Sequence, residues 1–179
     1  MMSVKVGPVT IECIQGDITS QSDMDAVVNA ANTQLAPGGG VAGVIHLKAG
    51  PGLYEECKPL APIQTGEAVI TSGHGLPNPF VIHCLGPIYG QDKQEAKLLA
   101  NCYRNALKIA EEKGLKSIAF PAISTGIFGY PIAEAANIAF RTFAKEANKL
   151  QHIRTIRMVL FSEKDLKEHL MAFQQVFRD

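Results

Sequence analysis

Two glycine-rich stretches carry the clearest chemical signal in the sequence: Pro37-Gly38-Gly39-Gly40-Val41-Ala42-Gly43 and Ser124-Thr125-Gly126-Ile127-Phe128-Gly129. Each follows an apolar run that reads as a buried strand and precedes a stretch that reads as a helix. Glycine lets main chain approach a ligand closely, and a helix N-terminus offers unpaired N–H groups with a favourable dipole. Two such mouths in one small chain are suited to gripping a diphosphate from both sides. Ser124 and Thr125 add hydroxyls beside Gly126, a composition that suits a phosphate cradle. No lysine follows the glycines where a Walker-type loop requires one.

Other polar residues cluster near presumptive strand ends. Gln15-Gly16-Asp17-Ile18-Thr19 follows the first long apolar run. Asp17 or Thr19 can cap a short helix there, or Asp17 can accept a hydrogen bond from an exocyclic amine such as that of adenine. In Val27-Val28-Asn29-Ala30-Ala31-Asn32, the two amides offer donors and acceptors without charge, which suits a hydroxyl-rich ligand such as ribose. Asn29 is read as tying down loop backbone and Asn32, nearer the glycines, as facing the ligand. Both are kept as candidate binding residues. Phe128 can pack in the core or on a bound sugar, and Phe161 can stack on a base. His46 lies one turn into the helix after the first loop, with a structural and a reactive reading both open. His74, His83, His152 and His169 form no pair at ligand spacing, so no metal site is expected. Ser124 lacks nucleophile-elbow spacing and no cysteine sits in an electropositive setting, so a covalent intermediate is not expected.

Apolar, β-rich runs at Val9–Gln15, Ala26–Asn29, Ala68–Thr71, Phe80–Leu85, Ser117–Ala122 and Thr155–Phe161 predict the strands that position these residues. Helical periodicity covers Gln94–Glu112, ended by Gly114, then Ile132–Asn148 with Pro131 near its first turn, and about Glu163 to Phe177. The alternation predicts an α/β fold with helices on both faces of a mostly parallel sheet. Gly66 and the Gly73-His74-Gly75-Leu76-Pro77 cluster point to short turns between middle strands, hence a mixed sheet.

With 179 residues and no repeat or linker, the chain reads as one domain spanning 1–179. Seventeen basic residues balance seventeen acidic ones, which disfavours nucleic acid as the main partner. No apolar run reaches membrane-spanning length, and no secretory core is evident at the N-terminus. Cys13, Cys57, Cys84 and Cys102 have no metal spacing and mostly fall in apolar patterns. Buried, reduced thiols and a cytoplasmic location are the expectation.

Read together, the motifs resemble the macrodomain family of ADP-ribose-binding modules, with a pattern most similar to its MacroD-type branch. The matches run in order through Gly16-Asp17-Ile18-Thr19, Val28-Asn29-Ala30-Ala31-Asn32, Gly38-Gly39-Gly40-Val41-Ala42-Gly43-Val44-Ile45-His46, Thr65-Gly66-Glu67-Ala68, Val81-Ile82-His83, Gly86-Pro87-Ile88-Tyr89 and Ala119 through Pro131. The resemblance implies a three-layer α/β/α sandwich around a central mixed, mostly parallel sheet. It implies ADP-ribose, O-acetyl-ADP-ribose and mono-ADP-ribosylated proteins as partners, with no cofactor.

By the same resemblance, Asp17 and the Ile18 amide would bind adenine, and Phe161 would flank it. The amides of Gly39, Gly40 and Val41 and of Ser124, Thr125, Gly126, Ile127 and Phe128 would hold the diphosphate, with Gly38 also among the ligand-binding residues. Asn32 and Phe128 would set the distal ribose for removal of mono-ADP-ribose or of acetate. Two positions depart from the pattern. Pro37 replaces a common glycine, and Ala42 replaces the aspartate that MacroD-type enzymes are proposed to use to activate water. Ala42 is similar to viral macrodomains, whose water is described as held by the substrate's own phosphate. A non-catalytic ADP-ribose reader and a phosphatase acting on ADP-ribose 1''-phosphate are the alternatives.

Overall fold

A computed structural model describes residues 1–178. In chain order the elements are β1 (Met2–Val6), β2 (Val9–Gln15), β3 (Ala26–Ala30), α1 (Gly40–Ala49), α2 (Pro51–Cys57), β4 (Ala68–Ser72), β5 (Phe80–Cys84), α3 (Glu95–Glu112), β6 (Ser117–Phe120), α4 (Ile132–Ala147), β7 (Thr155–Leu160) and α5 (Glu163–Val176). The seven strands form one sheet in the order β1-β2-β7-β6-β3-β5-β4. The outer pairs β1–β2 and β4–β5 are antiparallel, and the four inner pairings are parallel. Helices cover both faces, so the fold is the mixed, mostly parallel α/β/α sandwich expected.

Side chains on a strand alternate between faces, and the two cores follow that rule. Val28, Ile82, Ile118, Phe120 and Met158 pack with Leu99 and Tyr103 of α3, Phe140 and Phe143 of α4 and Phe173 of α5. Their neighbours Val27, Val81, Ala119 and Val159 face the other way, against Ile45 and Ala49 of α1 and Leu53 and Cys57 of α2. Strands buried on both faces read as unbroken apolar runs, which is why the inner strands were legible.

Boundaries moved where backbone chemistry demanded. β6 stops at Phe120, because Pro121 has no N–H to give the ladder. β7 stops at Leu160, leaving Phe161 just beyond it. Gly114 ends α3 with a positive φ of 72°. Two elements were not anticipated. β1 is a short edge strand in which Met2, Val4 and Val6 alternate with more exposed residues. α2 is only seven residues long, contains Gly52, weak in helix propensity, and is held by Leu53 and Cys57 in the core.

The sheet order creates the cleft. β3 and β6 are parallel neighbours, but β3 continues to α1 on one face while β6 continues to α4 on the other. Their outgoing loops therefore diverge and leave a crevice at the carboxyl ends of the strands. Beneath it, the buried Tyr103 hydroxyl accepts the Ile123 N–H at 3.2 Å, tying the second glycine loop to the core. Tyr103→Phe orphans that buried donor and is expected to destabilise the fold by about 1–3 kcal/mol. Urea unfolding should report this as a lower midpoint with an unchanged slope.

Candidate functional site

A cavity of about 230 Å³ opens between the two diverging loops. Of the residues expected there, Asn32, Gly38, Gly39, Gly40, Val41, Ser124, Gly126, Ile127 and Phe128 line it. Ala42 also lines it, buried in the first turn of α1. No charged side chain contributes to the wall.

Its donors are main-chain groups. The amides of Gly40, Val41 and Ala42 lie in the first turn of α1 and have no acceptor among the described residues, and Gly39 caps the helix without a side-chain bond. Across the cavity, the amides of Gly126, Ile127 and Phe128 likewise donate to no group among the described residues. The second loop is fixed by its other bonds: Gly129 N–H to Gly126 O at 3.0 Å and Tyr130 N–H to Ser124 O at 2.8 Å. Ser124 itself has a φ of 68°, uncommon for a residue with a side chain. Its hydroxyl is buried with no hydrogen-bond partner among the described residues. Thr125 does not line the cavity, because its hydroxyl turns back to donate to Ala122 O at 2.8 Å.

Asn32 lies in the cavity wall as expected, but it also makes the backbone tie that was expected of Asn29. Asn29 lies inside β3, fully buried and outside the cavity wall. Its amide donates not to loop backbone but to His83 Nδ1 at 3.1 Å, and His83 Nε2 then donates to the Thr71 hydroxyl at 2.9 Å. Burial, then the nearby His46, pushes His83 down to about 3, so it is the neutral partner this chain of bonds needs. The backbone tie belongs to Asn32: Oδ1 accepts the Ala36 N–H and Nδ2 donates to Ala36 O, both at 2.9 Å. One amide hydrogen and one lone pair of this cavity-lining residue remain without a partner among the described residues. The reason is positional, since backbone in a sheet is already paired and backbone in a loop is not.

His46 lies on the buried side of α1 itself, edge-on to Tyr54 and outside the cavity wall, and desolvation lowers its pKa. The four cysteines are buried and free, and burial pushes the thiols up, to about 12 for Cys13 and Cys102 and about 11 for Cys57. No cluster of three metal-ligating side chains occurs among the described residues.

Asp17 and Phe161 lie outside the cavity, at the carboxyl ends of β2 and β7. Asp17 caps a single 3-10 turn, Ile18–Ser20, with Oδ1 accepting both the Thr19 N–H (2.8 Å) and the Thr19 hydroxyl (2.7 Å). Ile18, within that turn, is buried. The Thr19 hydroxyl, then the Thr19 amide, holds the Asp17 carboxyl below its ordinary value. Oδ2 has no partner among the described residues. Phe161 is 84% exposed. Because β2, β7, β6 and β3 are parallel neighbours, their carboxyl ends form a row about 14 Å long. Along it run Asp17, Phe161, the second glycine loop and Asn32.

Gly86 also lines the cavity and was not singled out as a site residue. A Cβ there would collide with Ser124 Oγ and lie 2.6 Å from Ile123 Cγ2. The Gly86-Pro87 pair just past β5 was the only local signal for it. Gly86→Ala is expected to displace the second loop, cost about 1–3 kcal/mol in a denaturant titration and speed amide exchange over 122–129.

Comparison with known proteins places this architecture. The family model for the Macro domain matches residues 28–139. A macro domain-containing protein of Chlorobaculum tepidum is 51% identical over 165 residues, covering 92% of this chain and 95% of that one. The O-acetyl-ADP-ribose deacetylase of Salmonella newport is 47% identical over 170 residues, covering 92% and 94%. A glycine-to-valine variant of the Oceanobacillus iheyensis macrodomain, solved with ADPR, superposes with a TM-score of 0.95 at 41% identity, covering 99% of each chain. With the site resting on the same two glycine loops that first suggested the resemblance, the chain belongs to the macro domain family.

Proposed function

We propose that the row of strand ends binds ADP-ribose and that the chain hydrolyses esters of its distal ribose. Such hydrolysis releases mono-ADP-ribose from acidic side chains or acetate from O-acetyl-ADP-ribose. The observation that carries this reading is the pair of unpaired amide sets on residues that line one uncharged cavity: Gly40–Ala42 from the first loop, Gly126–Phe128 from the second. Main-chain donors at a helix start and in a tight loop suit the diphosphate. The free Asp17 Oδ2 suits the adenine amine, and exposed Phe161 beside it offers a face for the ring. The relatives that bear the deacetylase name and the macrodomain solved with ADPR support the choice of ligand.

In this reading the chain catalyses by position. Asn32, pinned by Ala36, presents its remaining amide hydrogen and lone pair to the distal ribose, and Phe128 packs on the sugar. Water adds to the ester carbon, the ester C–O bond breaks, and a carboxylic acid and ADP-ribose leave. No side chain in the wall can take the proton from water, so a phosphate oxygen of the substrate accepts it and returns it to the departing ribose oxygen, which leaves as a hydroxyl. Orientation without a protein base can still supply several kcal/mol of barrier reduction. The same vacancy at Ala42 favours a second reading, a reader that binds and does not turn over.

Calorimetry should give a dissociation constant near micromolar for ADP-ribose, about −8 kcal/mol. Release of label from a glutamate-linked mono-ADP-ribosylated protein should fall about 100-fold or more in Asn32→Ala. Binding without release in the unaltered protein would establish the reader instead. Ala42→Asp should raise turnover on the order of 10- to 100-fold if a missing base limits the rate. No gain in a variant that still binds would assign that role to the substrate phosphate.

Asp17 gives the pH dependence. Its folded pKa lies below the ordinary 3.8, so its contribution is complete above that value and fades only as pH falls through the lower, folded one. ADP-ribose affinity should therefore stay flat from about pH 7 to about pH 5, and a break near 6.5 would implicate a histidine instead.

A further inference from the structure

The loop that carries Asp17 is held by a chain of polar contacts that begins two strands deep in the sheet. Arg157 on β7 and Glu12 on β2 are register partners, and Arg157 Nε donates to Glu12 Oε2 at 2.6 Å. The Arg157 side chain is only 13% exposed, and its other nitrogens reach forward. Nη1 and Nη2 grip the two Asp23 oxygens at 2.8 Å each, and Nη1 also donates to Gln21 Oε1 at 2.9 Å. Gln21 is buried, and its Nε2 donates to the Asp17 carbonyl at 2.8 Å.

This arrangement fixes which end of the Gln21 amide faces Asp17. Guanidinium has donors only, so it demands the amide oxygen and turns the NH2 toward the Asp17 carbonyl. With the amide reversed, two oxygens would oppose each other and the loop would have to shift. Gly16 independently marks the fit, because a Cβ there would sit 3.3 Å from Gln21 Nε2. The Asp17 carbonyl, which also accepts the Ser20 N–H at 3.0 Å, is thus tied through Gln21 to a side chain 140 residues away in sequence, Arg157, while Thr19 holds the carboxylate through Oδ1.

We propose that Arg157 is a positioning residue for base selection: acting through Gln21, it aims Asp17 Oδ2 at a 6-amino purine and against a 6-oxo purine. The inference rests on the ADP-ribose reading above. A carboxylate accepts from an amino group and repels a carbonyl, so the same anchored oxygen both attracts adenine and rejects hypoxanthine.

The test titrates ADP-ribose and its hypoxanthine analogue into the unaltered protein, Gln21→Glu and Arg157→Lys, with melting temperatures in parallel. The unaltered protein is expected to favour ADP-ribose by roughly tenfold or more. Gln21→Glu keeps an acceptor for Arg157 but has no donor for the Asp17 carbonyl. It should lose roughly 5- to 20-fold toward ADP-ribose and little toward the analogue, so that the ratio collapses toward one. Arg157→Lys keeps the charge without the fork and should move the ratio the same way.

An unchanged ratio in Gln21→Glu, or an equal loss for both ligands, overturns the proposal. That result stands even if Arg157→Lys fails to fold. Absence of any ADP-ribose binding by the unaltered protein overturns the functional reading itself, and this inference with it. Normal binding with an undisturbed ratio overturns only the role of Arg157.

Discussion

Unsatisfied main-chain donors are the constraint around which this protein is arranged. A helix leaves its first N–H groups without partners, and a tight loop turned away from any strand does the same. Such donors are tolerated only where water or a ligand can reach them. Here the first turn of α1 and the Gly126–Phe128 segment bring two sets to one crevice. They share it because neighbouring parallel strands send their connections to opposite faces of the sheet. The site is thus a consequence of strand order more than of any reactive side chain.

The surrounding structure keeps that crevice open and rigid. Aromatic packing among Tyr103, Phe120 and Phe143 lies under the second loop, and the Tyr103 hydroxyl reaches through to the Ile123 amide. Under the first loop, Asn29, His83 and Thr71 form a buried polar relay that never reaches the cavity. A neutral histidine, kept so by desolvation, lets that relay exist without a buried charge. Small residues do the rest: Gly86 is the only size that leaves room for Ser124, and Ala42 leaves the cavity wall without a carboxylate. Binding is favoured by fixed donors, and any chemistry must come from orientation and from groups the substrate brings.

The residues that the sequence read well are those whose role is local. Glycine runs, apolar strands and the stripes of α3 and α4 announce themselves within a window of a few residues. Met2, Val4 and Val6 did carry a period-two pattern, but a five-residue edge strand is short enough to pass as an irregular terminus. The helix α2 gave little signal because it is only seven residues long and contains Gly52, a weak helix former, and packing of Leu53 and Cys57 holds it in place.

Composition and periodicity alone determined that this chain builds an α/β sheet with two glycine mouths at strand ends, since backbone preferences and burial act over neighbouring residues. Tertiary structure decided which polar groups meet. Asn29 and Asn32 are three residues apart and chemically identical, yet one is sealed in a paired strand and the other faces the cavity. Ser124 lies against Gly86, after strands that flank β3, and Arg157 on β7 reaches Gln21 across 136 residues, only because the sheet brings distant segments together. Partner choice over such separations depends on sheet order, which no local pattern encodes.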